Sequence, residues 1–473
     1  MTVEAVRGAL FDPQPDGSVR YFADGGILGD GKGRIVASGA WPAIAAKLGS
    51  AADAVPQARG FLLPPFVDAH IHIPQHPIRG RFLEGVIGSP EGGPLLAGLN
   101  KNVFPAEGRC RDEAVARKII ADFRTDTLAH GTVGGAAYMT VHTTATRAAL
   151  EQLDPAWSVG LVLMERYCPE YLRTDDPALE HDVAALARDF GHRVIVTDRF
   201  AGAVDTPLRK RGVALAKQFN LRMQTHLNEQ QAEKAWTESL YPDAASYTDV
   251  YRRDGLLDRA AILAHCIQMT QDEWDLLAAA IGPGATGAAI AHCPVSNTWL
   301  GSGVMPLDEV VARRIPYALC TDVGASPTTS LLCEMVQFLR VHAGRSTRAT
   351  PSEALFATTL APAQILGLAD RLGSFDVGKD FSFIEVQTSA TPTTFTSADD
   401  AILRGLLEVE PADLRRYEPG GELGTLVDRL IATGLPVGEE LARLTTEISK
   451  TAARVDDKVV RTILAGREAW SRS

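Results

Sequence analysis

The stretch Phe-Val-Asp-Ala-His-Ile-His-Ile-Pro-Gln, residues 66–75, decides how the chain is read. Its first five residues, FVDAH (66–70), form an apolar run of strand length that stops on a histidine, with His72 two positions further on. Similar runs follow at TVGGAA (132–137), SVGLVLM (158–164), RVIVT (193–197), LRMQTH (221–226), AILAH (261–265), GAAIAH (287–292) and PYALCTD (316–322). Between them lie amphipathic stretches with helical period, such as DEAVARKIIADFRTDTLAHG, LEHDVAALARDFG and PLRKRGVALAKQFN. Eight strand-like runs alternating with helices are the pattern of an α/β fold, a closed parallel (β/α)8 TIM-type barrel.

On either side of this alternation the pattern changes. Residues 1–64 read as short strands broken by Gly and Asp turns, the N-terminal part of a small β-domain. The barrel occupies 65–367. Residues 368–473 carry strand-like GSFDVGKDFSFIEVQ and a final VVRTILAGREAW, with a charged helical insertion at about 400–455. The two terminal segments are expected to join in one small β-sandwich around the inserted barrel.

Composition narrows the function classes. Hydrophobic residues make up 45% and charged residues 22% of 473, which is a globular rather than a disordered composition. The net charge of −11, with no Lys/Arg cluster, makes nucleic acid a poor partner. No run approaches 18 apolar residues, so no membrane span is expected. MTVEAVRGALFD lacks the basic and apolar regions of a signal peptide, and the six cysteines are scattered without a C-x-x-C pair. A cytoplasmic setting with reduced thiols follows as the expectation.

The polar residues fall where a barrel needs them, at the C-terminal ends of strands facing the mouth. His70, His226, His265 and Asp322 end strands 1, 5, 6 and 8, and Gln75, Arg199 and Glu229 follow strands 1, 4 and 5. In an extended segment i and i+2 share a face, so His70 and His72 can reach one ion. His70, His72, His226 and Asp322 would supply three nitrogens and one oxygen, leaving a position open for water, as a catalytic zinc site requires. RVIVT contains no lysine to carbamylate and bridge two metals, so one ion per chain is expected: Zn2+, although an imidazole/carboxylate set also accepts Fe2+ or manganese. Glu229, three residues after His226, is placed to take a proton from the metal's water and hand it to a ring nitrogen. His76, His130, His142, His181, His192 and His342 read as ordinary core or surface residues. His292 ends strand 7 but precedes Cys-Pro, and its reading stays open between a site residue and a local structural one.

LPPFVDAHIHIPQ, VFPAEGR, MQTHLNE, LAHC, IAHCPVSN and CTDVG resemble the amidohydrolase superfamily and, within it, the guanine deaminases. The resemblance runs from about residue 10 to 395 and resumes at about 456; it includes LYPDAASYTDVYRRDGLL between strands 5 and 6. It implies that His70, His72, His226 and Asp322 bind zinc, that Glu229 shuttles protons, and that His265 hydrogen-bonds the attacking water or the intermediate. It implies that Gln75, Arg199 and Phe200 read a purine beside His226, Glu229 and Asp322, in a homodimer that converts guanine to xanthine and ammonia. An Arg donor suits guanine's carbonyl edge and a Phe face suits its ring. An ion pair at the barrel rim is the competing role for Arg199.

The sequence departs from the family's pattern in two places. The stretch after Asp322 reads Val-Gly-Ala-Ser-Pro-Thr-Thr-Ser, where Pro327 stiffens the loop and removes a backbone donor. That keeps an alternative substrate in view: another amino-heterocycle such as 8-oxoguanine, a pterin, another purine or a triazine. The insertion at about 400–455 is the second departure. A barrel that had lost catalysis and served as a scaffold should lack at least one ligand, and here all four are present.

Overall fold

A computed structural model of the chain describes residues 4–86, 93–281 and 288–472. The N-terminal segment forms β1 (Ala5–Pro13), β2 (Val19–Gly29), β3 (Ile35–Ala40) and β4 (Gln57–Leu63). It also forms a helix, Trp41–Leu48, that the strand-like reading of residues 1–64 does not anticipate; its Trp41 and Ile44 are buried. The barrel strands are β5 (Phe66–His72), β6 (Thr132–Tyr138), β7 (Trp157–Leu163), β8 (Val194–Phe200), β9 (Arg222–Leu227), β10 (Ala261–His265), β11 (Ala289–His292) and β12 (Tyr317–Leu319). Each of the eight apolar runs in the sequence coincides with one of them. Gly287, the start of the seventh apolar run, lies outside the described residues, as do Met1, Thr2 and Val3 of MTVEAVRGALFD. The C-terminal segment adds β13 (Phe383–Val386), β14 (Val459–Leu464) and β15 (Arg467–Ser471).

β5 to β12 form one eight-stranded sheet in sequence order, with every neighbouring pair parallel. Backbone bonds from Asp322 N to His70 O and from His72 N to Val323 O, both 2.9 Å, bring its two edges together. Asp68 reinforces that seam: its buried carboxylate accepts from Thr321 Oγ1 at 2.5 Å and from the amides of His70 and Thr321. The barrel therefore closes at the segments that carry the site. Ala69, Ala136, Ile195, Ile262, Ala264, Ala291 and Ala318 pack together from six strands, which only a closed interior allows. The helices around it start as their sequences dictate. Asp112 caps Glu113–Ala129 by accepting from Ala114 N and Val115 N, and Asp205 caps Thr206–Gln218 with Pro207 in the first turn.

The terminal strands join as the sequence predicts, in the order β15-β14-β13-β4-β1-β2-β3, and fold over a small core of their own. Alternation of side chains divides the two faces. Leu10 and Leu62 face a small core with Phe375, Phe381 and Phe383, while their neighbours Phe11, Phe61 and Leu63 join the large core of the barrel. The outer face packs on the barrel, while on the inner face Ile27 and Ile35 meet Phe383 and Ile463, and Ile35 N donates to Lys379 O at 2.9 Å to bring the two ends of the sheet together. Between β13 and β14 the chain is largely helical, with helices that include Gly424–Thr433 and Glu439–Val455. Its last helix, Glu439–Val455, buries Leu441, Leu444, Ile448, Ala452 and Val455 at helical spacing. The neighbouring helix Leu331–His342 is buried along its whole length.

Candidate active site

Local backbone irregularities aim the side chains at the barrel mouth. Along β5 the register against β6 slips between Asp68 and Ile71. Ala69 belongs to the interior cluster, whereas Ile71, after the slip, belongs to the outer one. The bulge thus turns His70 and His72 inward, the re-aiming that such insertions produce. On β9, Met223 and Leu227 pack outward and His226 therefore faces in. On β10, Ile262 and Ala264 are interior residues, so plain alternation would send His265 outward. A left-handed φ of 76° at His265, followed by 51° at Cys266, reverses that direction. Asp322 (φ 50°) and Asn228 (φ 52°) are held in the same sparsely populated region. Such conformations cost about 1–3 kcal/mol each and persist only where the surroundings fix them.

One ligand atom from each of His70, His72, His226 and Asp322 lies within 4.8 Å of the others. Asp322 Oδ1 is 3.1 Å from His70 Nε2 and 3.2 Å from His72 Nε2. His226 donates Nδ1–H to the carbonyl of Arg199 at 2.7 Å, which leaves the Nε2 lone pair free. Burial, with the Arg199 charge nearby, pushes His72 down to about 3, although Asp322 acts in the opposite direction. Burial and the neighbouring imidazoles hold His226 well below its ordinary value. Burial raises the Asp322 carboxyl, but the hydrogen bonds from His70 and His72 outweigh it and keep Asp322 ionised. Neutral imidazoles and an ionised carboxylate are the protonation states that a metal needs. The group fits a divalent ion with three nitrogen donors and one oxygen.

Replacing His72 with Ala removes one of the four donors. The expected result is a folded protein whose metal content, by atomic emission, drops from about one ion per chain to a small fraction of that. Full metal content in the His72→Ala protein would take His72 out of the site.

The pocket beside this group is lined by His72, Gln75, Phe82, Leu95, Leu99, Arg199, Phe200, His226, Glu229, Glu233, Leu300 and Asp322. Gln75, Arg199, Phe200, His226, Glu229 and Asp322, singled out in the sequence, thus share one cavity. His265 stands behind it, with Nε2 3.5 Å from Glu229 Oε2. Burial, the Asp322 charge and Glu233 together push Glu229 well above the ordinary carboxylate range. Glu233, not anticipated from the sequence, is also buried, and burial raises it to about 7. His130 bonds to Asp126 and Thr329, as an ordinary structural histidine does. His292 is buried against Phe338 and His342, with neither ring nitrogen partnered among the described residues.

Sequence reading missed Glu107, on the short helix Phe104–Gly108. Its Oε1 accepts from both Arg199 Nη1 and Gln75 Nε2, the latter at 3.0 Å. Arg199 is therefore at once a pocket residue and half of a buried ion pair. The motif VFPAEGR was the available signal, but its reach across 92 positions to Arg199 is a tertiary fact. Tyr251, in the stretch between strands 5 and 6, donates to the His226 carbonyl at 2.9 Å and so supports the end of β9. Pro327 lies against Gly80, whose hypothetical Cβ would sit 3.0 Å from the Pro327 ring, and is not among the residues that line the pocket. The loop departure is thus spent on packing outside the cavity. Gly324 is the residue that approaches the pocket, where a Cβ would fall 2.5 Å from that of Gln75.

Residues 61–408 match the family model described as the amidohydrolase family. The chain is 30% identical over 416 residues to guanine deaminase of Escherichia coli (strain K12), covering 85% of this chain and 91% of that one. It is 31% identical over 347 residues to guanine deaminase of Mus musculus, covering 70% and 73%. The solved structure of E. coli guanine deaminase superposes with a TM-score of 0.76 at 27% identity over 100% of both chains. Guanine deaminase from C. acetobutylicum with bound guanine in the active site shares the fold, with a TM-score of 0.73 at 22% identity over 99% and 100%.

Proposed function

Since the chain belongs to the amidohydrolase family, and within it to the guanine deaminases, we infer that it hydrolyses guanine to xanthine and ammonia. The observation that carries this reading is a single pocket in which the His70/His72/His226/Asp322 group meets Glu229 on one side and Arg199 with Phe200 on the other. The same reading carries zinc as the ion, the cytoplasm as the setting and a homodimer as the assembly.

When bound, the ion lowers the pKa of a coordinated water toward ~7 and acts as a Lewis acid. His70, His72, His226 and Asp322 would hold it. The chain's own groups do the rest. Arg199 has a guanidinium edge to donate to guanine's carbonyl oxygen, and Phe200 offers a flat face to the ring. Gln75, fixed by Glu107, orients an amide toward the purine edge. Glu229 accepts the water's proton on a carboxylate oxygen and delivers it to the ring nitrogen beside C2. His265, directed at the same place, hydrogen-bonds the oxygen that adds to C2. Glu229 then takes the proton left on the hydroxyl at C2 and passes it to the C2 amine, which leaves as ammonia as the C2 carbonyl forms.

The reading is tested by steady-state turnover on guanine, followed by the ultraviolet change and by ammonia release. The expected kcat/KM is at least about 10⁴ M⁻¹s⁻¹. A metal-loaded protein that is inert on guanine but active on another amino-heterocycle would replace the substrate and keep the chemistry. Arg199→Met should lower kcat/KM about 10- to 150-fold, the worth of one hydrogen bond from a charged group at roughly 1.5–3 kcal/mol. Because it also strands the Glu107 carboxylate, the informative comparison is Arg199→Met with Glu107→Gln. An unchanged kcat/KM in that double variant would return Arg199 to a purely structural role.

A further inference from the structure

Each of the three reactive side chains, Asp322, His265 and Glu229, receives a hydrogen bond from one short stretch. Ser296 Oγ donates to Asp322 Oδ2 at 2.6 Å, Asn297 Nδ2 donates to His265 Nδ1 at 2.9 Å, and Ser302 Oγ donates to Glu229 Oε1 at 3.0 Å. Ser296 and Asn297 lie on the helix Pro294–Trp299, and Ser302 lies just beyond its end. All three are buried. IAHCPVSN supplied two of them in the sequence, where neither had an assigned task.

This stretch is itself pinned. Ser302 N bonds back to Asn297 O at 2.8 Å, so its two ends are locked together. Gln230 Nε2 donates to Leu300 O and Ser302 Oγ, and Gln268 Nε2 donates to Ser302 O at 2.8 Å. From the outside, Leu435 N donates to Gly301 O at 2.9 Å. Leu435 belongs to the helical insertion, immediately after the helix Gly424–Thr433. The two backbones touch so closely that a Cβ on Gly434 would lie 2.6 Å from Gly301 O, and one on Gly301 would lie 2.0 Å from Leu435 O.

We propose that residues 296–302 act as one positioning element, setting Asp322, His265 and Glu229 relative to one another, and that the insertion braces its Gly301–Ser302 end. The roles of those three groups rest on the deamination reading above. The physical case is that a catalytic constellation has to be held within about 0.5 Å of its productive geometry. Three groups hung from a single locked stretch keep their mutual spacing even when the barrel around them fluctuates. Asn297 adds a chemical function. Its N–H fills the Nδ1 lone pair of His265, which forces the imidazole proton onto Nε2, the nitrogen that faces Glu229 Oε2. His265 then presents a donor, not an acceptor, to the oxygen entering the site. Ser296, Asn297 and Ser302 are positioning residues, since none lines the pocket. The insertion gains a task that its sequence does not disclose.

The test has two arms. In the first, Ser302→Ala, Ser302→Thr and Gly434→Ala are compared with the wild type on guanine. The expected result is a kcat lower by about tenfold or more in Ser302→Ala, the usual range for loss of an outer-layer support. KM and metal content should stay unchanged, with recovery in Ser302→Thr, which keeps the hydroxyl. Gly434→Ala, made outside the pocket, should lower kcat in the same way. A Ser302→Ala protein with wild-type kcat overturns the positioning role, and a wild-type kcat in Gly434→Ala removes the brace. The second arm uses ¹⁵N-histidine NMR of the metal-loaded protein without substrate, with the His265 signals assigned from a His265→Gln sample. The His265 proton should reside on Nε2 and move to Nδ1 in Asn297→Asp, whose side chain only accepts. A wild-type proton on Nδ1 overturns the assignment. This arm needs no turnover, so failure of the guanine reading and failure of the positioning proposal are told apart.

Discussion

Glu229→Gln is expected to lower kcat on guanine by about 10²–10⁴-fold, the contribution of a positioned general acid–base, while metal content and guanine binding remain. The substitution preserves shape and the ability to accept from Ser302 through the amide oxygen, but it removes the carboxylate that takes a proton. Glu229 follows the end of β9, after the left-handed turn at Asn228 that brings the carboxylate over the metal group. With one oxygen held by Ser302 and the other near His265 Nε2, the carboxylate has a fixed orientation before substrate arrives. Removing it should therefore affect proton transfer and leave the ligands untouched. Calorimetric titration with guanine, metal analysis and steady-state turnover on one sample separate these outcomes. Near-normal kcat in the variant would take Glu229 out of the mechanism. Loss of metal instead would show that Glu229 supports the ligand group.

The second large effect concerns stability. Arg209→Leu is expected to destabilise the fold by about 3–5 kcal/mol, the range for breaking a buried ionic group from one side. Arg209 is fully buried on the helix Thr206–Gln218. Its Nε donates to Asp198 Oδ2 and its Nη1 to Asp254 Oδ2, both at 2.7 Å. Nη2 donates to the carbonyl of Val204 at 2.6 Å and to Tyr241 OH at 3.1 Å. Burial raises the Asp198 carboxyl even with Arg209 beside it, so an Asp198 left alone would have no means of staying ionised except at high cost. The network ties the end of β8 to the segment after β9, one residue before Arg199. Thermal unfolding with metal present measures the loss. The triple variant Arg209→Leu/Asp198→Asn/Asp254→Asn should recover much of it, because no buried charge is then left unpaired. An unchanged Tm in Arg209→Leu would overturn the assignment of a structural role.

The eight strands and the cluster of His70, His72, His226 and Asp322 were legible in the chain because both follow from local pattern. Apolar runs of strand length alternate with helical stretches, and the fold places functional side chains where those runs end. His70, His72, His226 and Asp322 could therefore be brought together from position alone, without knowledge of any contact. Gln75, Arg199 and Phe200 came from the family resemblance, and all three line the cavity.

Strand alternation alone would have misdirected His265, which faces the site only because its backbone turns left-handed, and the inward turn of His70 and His72 depends on a bulge in β5. Neither leaves a mark in the residues themselves, since neither position is a glycine. The bond from Glu107 to Arg199 and the contact between Leu435 and Gly301 join residues far apart in the chain, as does the Arg209 network. The terminal segments were expected to join, but which strands meet across their small core, such as Ile35 and Phe383, is set by contacts that only folding makes. The sequence by itself determined which residues could do the chemistry and at which strand ends they stand. The tertiary structure decided which way they point and what holds them, because direction at a strand end depends on the register and backbone angle imposed by neighbouring strands, and support comes from partners that only folding brings near.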